Sequence, residues 1–227
     1  MIAENLIYKD EFAYKYNYDH ALSYYLKHRK DWPRRLSDWR EKGLARQALH
    51  YIGEPNTVLD IPCGAGRFWP LLTKNKNRTI IAADSSIDML RVASEHCPQT
   101  MQSQIELLHT SAYDINLADN SVNTIFCMRL LHHIGDAEKR RKIFEEFHRV
   151  TRKSVLLSLW VDGNFKAWRR RNRDRVLDEE QPNRSRNRFL FKKEEIEKEF
   201  YRAGFSIVAN YDFLPGHSMW RLYVLQK

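Results

Sequence analysis

The chain has 227 residues, 43% of them hydrophobic, and a formal net charge of +9 at pH 7. That length suits one α/β domain with extensions and supplies enough apolar side chain for a core. No run approaches the ~20 apolar residues needed to span a bilayer. Residues 1–10 lack the basic and apolar regions of a secretory signal, and Cys63, Cys97 and Cys127 show no metal-ligand spacing. A cytoplasmic protein without a metal site is expected.

Residues 12–30 are rich in tyrosine, and 34–51 carry Leu36, Trp39, Leu44, Ala48, Leu49 and Tyr51 at roughly helical spacing. Two helices are predicted, divided at Trp32-Pro33, because proline disfavours helix at its predecessor. Six aromatic residues lie between Phe12 and Tyr25, more than a polar surface helix needs. Segment 1–54 is therefore expected to be a helical cap that covers a ligand site in the domain 55–227.

Strands and helices then alternate. Strand 57–61 leads through a turn with two glycines into helix 66–74, and strand 79–84 leads into helix 86–97. Strand 104–109 precedes an irregular stretch and strand 122–128. Asp136 is placed to cap helix 137–150, whose Ile143, Phe144, Phe147 and Val150 share one face. Strand 154–160 is followed by an insertion, 161–191. Helix 192–203 stops at Gly204, and strands 205–213 and 219–226 complete the order. Such alternation predicts an α/β, doubly wound, mostly parallel seven-stranded sheet with helices on both faces and an antiparallel edge.

The turn after the first strand, Asp60-Ile61-Pro62-Cys63-Gly64-Ala65-Gly66-Arg67, has the strand, glycine-rich turn and helix layout that seats a nucleotide-like ligand. Twenty residues beyond Gly64, Asp84 ends a strand where a carboxylate accepts hydrogen bonds from ribose hydroxyls. Asp84 is equally placed to cap the following helix. A nicotinamide dinucleotide is disfavoured, because the third glycine of its fingerprint would fall at Trp69. A smaller adenosine compound is expected.

These residues resemble the class I S-adenosylmethionine-dependent methyltransferases, in the branch that includes the ubiquinone/menaquinone-type enzymes. Val58-Leu59-Asp60-Ile61-Pro62-Cys63-Gly64-Ala65-Gly66 resembles the first motif, and Asp84-Ser85-Ser86-Ile87-Asp88-Met89-Leu90 the second. Thr110-Ser111-Ala112-Tyr113-Asp114 is similar to the third, Leu130-Leu131-His132-His133-Ile134 to the segment after the fourth strand, and Arg188 to Glu195 with Ala203-Gly204-Phe205 to a late segment. Three positions depart from the pattern: Pro62 for glycine, Ser111 for aspartate and Asn123 for aspartate. The resemblance implies a Rossmann-like fold and S-adenosylmethionine as cofactor. It implies that Asp60 compensates the cofactor's ammonium, that Met89 lies against the adenine, and that Ser111 and Ala112 read the adenine edge. Met89 equally suits core packing. Arg67 is placed either to reach the cofactor's carboxylate or to lie solvated at a helix start.

Met128 and Arg129 fall at the C-terminal end of the fourth strand, where such sheets hold ligands. His132 or His133 is a candidate general base, the alternative being one packed and one solvated ring. The insertion 161–191 holds nine basic and five acidic residues, centred on Arg169, Arg170, Arg171, Arg173 and Arg175, with Arg184, Arg186 and Arg188 behind. Its three readings are a lid over a small anionic or lipid-phosphate acceptor lined by Arg129, His132 and Arg169, a grip on RNA (tRNA), and a solvated helix. A non-catalytic cofactor-binding protein is the remaining alternative.

Overall fold

The computed structural model describes residues 17–30, 32–181 and 187–227. Its seven strands are β1 (Thr57–Asp60), β2 (Thr79–Asp84), β3 (Ile105–His109), β4 (Val122–Cys127), β5 (Thr151–Trp160), β6 (Ser206–Asp212) and β7 (Trp220–Gln226). They form one sheet in the order β3-β2-β1-β4-β5-β7-β6. The first five are parallel, and β7 runs antiparallel between β5 and β6. This is the doubly wound, mostly parallel sheet that the alternation predicted. The strand order reverses between β1 and β4, so their C-terminal ends open the crevice in which such sheets bind ligands.

Eight helices flank the sheet among the described residues: α1 (Tyr18–Lys30), α2 (Trp32–Tyr51), α3 (Trp69–Leu72), α4 (Ile87–Glu95), α5 (Gln99–Gln102), α6 (Ala137–Val150), α7 (Phe165–Glu180) and α8 (Lys193–Arg202). On one face α6 and α8 bury Phe144, Phe147 and Phe200 against Ile125, Val155 and Leu157. On the other, α2 and α3 bury Leu44, Ala48, Leu49 and Leu72 against Val58, Ile80 and Phe126. Central strands covered on both faces carry apolar runs in place of alternation, as Ile125–Cys127 of β4 and Val155–Leu157 of β5 do. Each such buried phenylalanine contributes about 1.5–3 kcal/mol.

Trp32 and Pro33, the expected divide between the N-terminal helices, begin α2. A first helical turn has no intrahelical use for the missing proline N–H. The helix expected over 66–74 shrinks to the single turn α3. Gly66 takes a left-handed φ of 73°, Pro70 supplies no N–H, and Thr73 Oγ1 donates to Trp69 O and closes the turn. Asn123 sits far from the crevice: its Oδ1 accepts from Thr57 N at 3.1 Å and Thr57 Oγ1 at 2.7 Å, joining β4 to β1 at their N-terminal ends.

α1 crosses α4 and packs Ala21 with Ala65, Met89 and Val92, with Tyr24 and Tyr25 alongside. Of the six early aromatic residues, Phe12, Tyr14 and Tyr16 lie outside the described residues, as do Arg184 and Arg186 of the insertion. Among the described residues no helix is long and apolar enough to cross a membrane.

Candidate active site

The turn after β1 is tied to the end of β2. Cys63 N donates to Ala83 O at 2.8 Å, and Gly64 N donates to Asp84 Oδ2 at 2.9 Å. Gly64 and Gly66 take φ of 52° and 73°, which favours glycine. A Cβ on Gly66 would also stand 2.7 Å from the Trp69 ring. The other Asp84 oxygen accepts from Ser86 N at 2.9 Å. Asp84 is thus the strut that holds the glycine turn open, and Ser86 takes the capping role expected of Asp84, its Oγ accepting from Met89 N at 3.3 Å.

Asp60 and Asp84 are both buried, at 1% and 7% exposure. Burial pushes the Asp60 carboxyl well above the usual carboxylate range, the Asp84 charge pushes it further, and the nearby Trp69 indole offsets this only in part. Asp60 Oδ2 accepts no hydrogen bond among the described residues. The same burial and the same two carboxylates raise the Cys63 thiol. Two carboxylates in one dry pocket form a site that a cation would stabilise.

The remaining residues expected at a cofactor divide by their packing. Met89 is buried beneath α1, and Met128 is buried at the end of β4 with Phe68 and Phe126. Ala112 is buried, while the Ser111 hydroxyl already accepts from Tyr113 N at 3.2 Å in a local turn. Arg67 is not solvated. Its Nε donates to Asp38 and its Nη2 to Glu41, each at 2.6 Å, while its buried Nη1 makes no hydrogen bond among the described residues.

Glu41 had no distinguishing sequence signal, yet it links both halves of the crevice. It accepts from Arg67 beside the glycine turn, and from Arg129 Nε at 3.0 Å and Nη2 at 2.6 Å at the end of β4. Burial by itself would raise its pKa, but Arg67 and Arg129 outweigh that and hold the carboxyl below its usual value. Arg129 has a φ of 65°, a strained backbone for a side-chain-bearing residue, and its guanidinium lies 5.0 Å from the centre of the Trp220 ring.

His132 lies beyond Arg129 and is 3% exposed. It stacks on Trp160 at 4.8 Å and meets Trp220 edge-on at 4.8 Å. Burial, and then the charges of His133, Arg129, Arg188 and Arg170, drive its pKa down to about 2. A general base at neutral pH needs a value near that pH, so His132 is not suited to that role. His133 Nδ1 donates to Asn187 O at 2.7 Å, and Phe189 N donates to His132 O at 2.7 Å. These bonds draw the end of the basic insertion onto the histidine pair.

α7 presents a different arginine to this cluster than the one expected. Arg169 is exposed, whereas Arg170 lies 4.8 Å from the centre of the Trp160 ring and donates to Arg188 O at 3.0 Å. Arg188 lies 5.8 Å from the same ring. Neighbours on a helix point about 100° apart, so adjacent arginines cannot share one inward role. Trp160, at the end of β5, and Trp220, at the start of β7, were legible as strand residues but not as the floor of a site.

Residues 58–154 match the methyltransferase domain family model. This stretch is similar to the class I S-adenosylmethionine-dependent methyltransferases. Over 116 residues, 51% of its length, the chain is 25% identical to an uncharacterized methyltransferase of Schizosaccharomyces pombe and covers 42% of it. It is 28% identical over 120 residues, 52% of this chain, to the demethylmenaquinone methyltransferase of Oceanobacillus iheyensis, covering 48% of that protein. The chain therefore spans less than half the length of these curated relatives. In fold, the chain is similar to the magnesium protoporphyrin IX methyltransferase of Synechocystis, solved with bound SAH, with a TM-score of 0.66, 14% identity and 87% of each chain covered.

Proposed function

We propose that the chain binds S-adenosylmethionine and transfers its methyl group to a small anionic acceptor. The observation that carries the cofactor half is Asp60, a buried carboxylate beside a second carboxylate, with Oδ2 short of a hydrogen bond. A ligand bearing an ammonium and a sulfonium supplies the positive charge that this pocket favours. Asp60 would face the ammonium, Asp84 the ribose hydroxyls, and Met89, Ser111, Ala112 and Met128 the adenine side. Arg67 Nη1 is a spare donor for the cofactor's carboxylate. When bound, the cofactor supplies a methyl group already activated for in-line displacement. The protein then has to align the acceptor and keep out water.

Arg129, Arg170 and Arg188 surround a histidine that stays neutral, which favours an acceptor already carrying negative charge. His132 would contribute a hydrogen bond without changing protonation. RNA is the second reading, favoured by Arg169 and Arg173 on the exposed side of α7. The free thiols of Cys63, Cys97 and Cys127 suit a reducing compartment such as the cytoplasm.

Isothermal titration with S-adenosylmethionine or its demethylated product is expected to show binding that Gly64→Arg weakens strongly, since an L residue is strained at φ 52° and relief of that strain would shift the turn whose N–H Asp84 holds. Absence of binding at millimolar cofactor would remove the enzyme reading and leave an interaction module on this fold. Labelled cofactor incubated with small-metabolite, lipid and RNA fractions identifies the acceptor. Label in RNA that falls steeply with salt would favour the second reading.

A further inference from the structure

The two halves of α2 face different surroundings. Its second half buries Leu44, Ala45, Ala48 and Leu49 against the sheet. Its first half carries Trp32, Leu36 and Trp39 at 74%, 50% and 71% exposure. Spaced four and three residues apart, the three side chains form one outward stripe along two turns.

The stripe has a neighbour across one loop. Arg40 Nε, next to Trp39, donates to Phe213 O at 3.0 Å. The loop continues to Gly216, whose carbonyl accepts from Phe165 N at 3.0 Å, and to His217, whose ring stacks on Phe165 at 5.6 Å. Leu214 on this loop and Phe165 and Trp168 on α7 are 45%, 49% and 61% exposed. Exposed Arg35, Lys166 and Arg169 stand among these groups. Asp38, the one acid within 32–40, turns away from the surface toward Arg67 and Lys42.

Apolar groups with tryptophan at the centre and cations at the rim are the composition of a surface that settles into the headgroup layer of a bilayer. Isolated exposed apolar residues are ordinary, but several on one surface mark a binding face. We propose that the first half of α2, the 213–217 loop and the start of α7 dock the protein on an anionic lipid surface. Leu36 and Leu214 decide between lipid and RNA: exposed aliphatic side chains offer a base no stacking face, whereas hydrocarbon accepts them. Docking of this face stands or falls independently of methyl transfer.

The full chain is mixed with sedimentable vesicles of phosphatidylcholine, with and without phosphatidylglycerol. It is expected to sediment with the mixed vesicles and far less with pure phosphatidylcholine, and its tryptophan emission is expected to be quenched by brominated acyl chains. Trp32→Ser with Trp39→Ser is expected to weaken partitioning about tenfold or more, with an unchanged melting curve because both rings are exposed. Arg35→Glu with Arg169→Glu is expected to remove the preference for anionic lipid. The proposal is overturned if the chain ignores mixed vesicles at low salt, or if the tryptophan pair does not affect binding. It is also overturned if the same pair instead governs binding to an RNA oligonucleotide or formation of a dimer.

Discussion

At the ends of β1 and β2 the sheet presents two buried carboxylates, whereas at the ends of β4 and β5 it presents three guanidiniums around a neutral histidine. The first end holds Asp60 above its usual pKa through burial and then the neighbouring Asp84 charge. The second holds His132 far below its own through burial and then the surrounding cations. One sheet edge thus carries two electrostatic demands of opposite sign. On the proposed function, a cationic ligand suits one end and an anionic ligand the other. Glu41 lies between them and keeps Arg67 and Arg129 from meeting as unpaired like charges.

The largest expected effect comes from removing that bridge. Glu41→Ala leaves the buried Arg67 guanidinium with Asp38 and takes this carboxylate from the partly buried Arg129, and a loss of about 2 kcal/mol is expected by urea titration. Glu41→Gln should lose less, since it keeps an acceptor. A loss under about 1 kcal/mol, the range of an exposed pair, would show that the two ends are not joined through this residue.

Within the basic end, Arg170→Gln should raise the KM for an anionic acceptor about tenfold, the equivalent of 1.4 kcal/mol, while Arg169→Gln leaves it unchanged. Equal effects from the two variants would erase the distinction between the inward and outward faces of α7.

At the acidic end, Asp60→Asn should abolish cofactor binding in titration calorimetry yet stabilise the ligand-free protein at neutral pH. The gain is expected to be on the order of 1 kcal/mol, the low end of what a poorly satisfied buried polar group costs. The sign follows from linkage: the folded state holds the Asp60 proton more tightly than the unfolded chain. Ligand-free stability should therefore fall as pH rises above the ordinary carboxylate value of about 4. Melting temperatures of wild type and variant that run parallel from pH 4 to 8 would contradict this account of Asp60.

The smallest effect is expected at His132, where the sign is opposite. Its folded value of about 2 lies below the unfolded value, so its contribution is full above pH ~6.5 and is lost as pH falls from there. His132→Phe, which keeps a ring against Trp160, should flatten the decline in melting temperature below that pH. A decline of unchanged slope would place the acid sensitivity elsewhere.

Much of the fold was legible because its signals are local. Apolar runs marked β1, β2 and β4, Asp136 accepts from Glu138 N and Lys139 N as a cap should, and Gly204 takes the φ of 85° that ends a helix. Asp60, Gly64, Gly66 and Asp84 could be grouped because motif spacing along two adjacent strands survives folding. Glu41 could not, since an acid on a polar-rich helix reads as solvated. Arg67 likewise looked like a residue at a helix start, and Arg169 and Arg170 were indistinguishable within a run of arginines.

The sequence by itself therefore determined the strand order's raw material, the glycine turn and the acidic residues beside it, because these depend on backbone conformation and hydrophobic period. Only the tertiary structure decided which charges meet. Glu41 and Arg129 are 88 residues apart, and Trp160 meets Trp220 through antiparallel register at 5.5 Å. Periodicity specifies which face of a helix is buried, but a charge's partner depends on how that face is rotated and docked. That is a property of the packed whole.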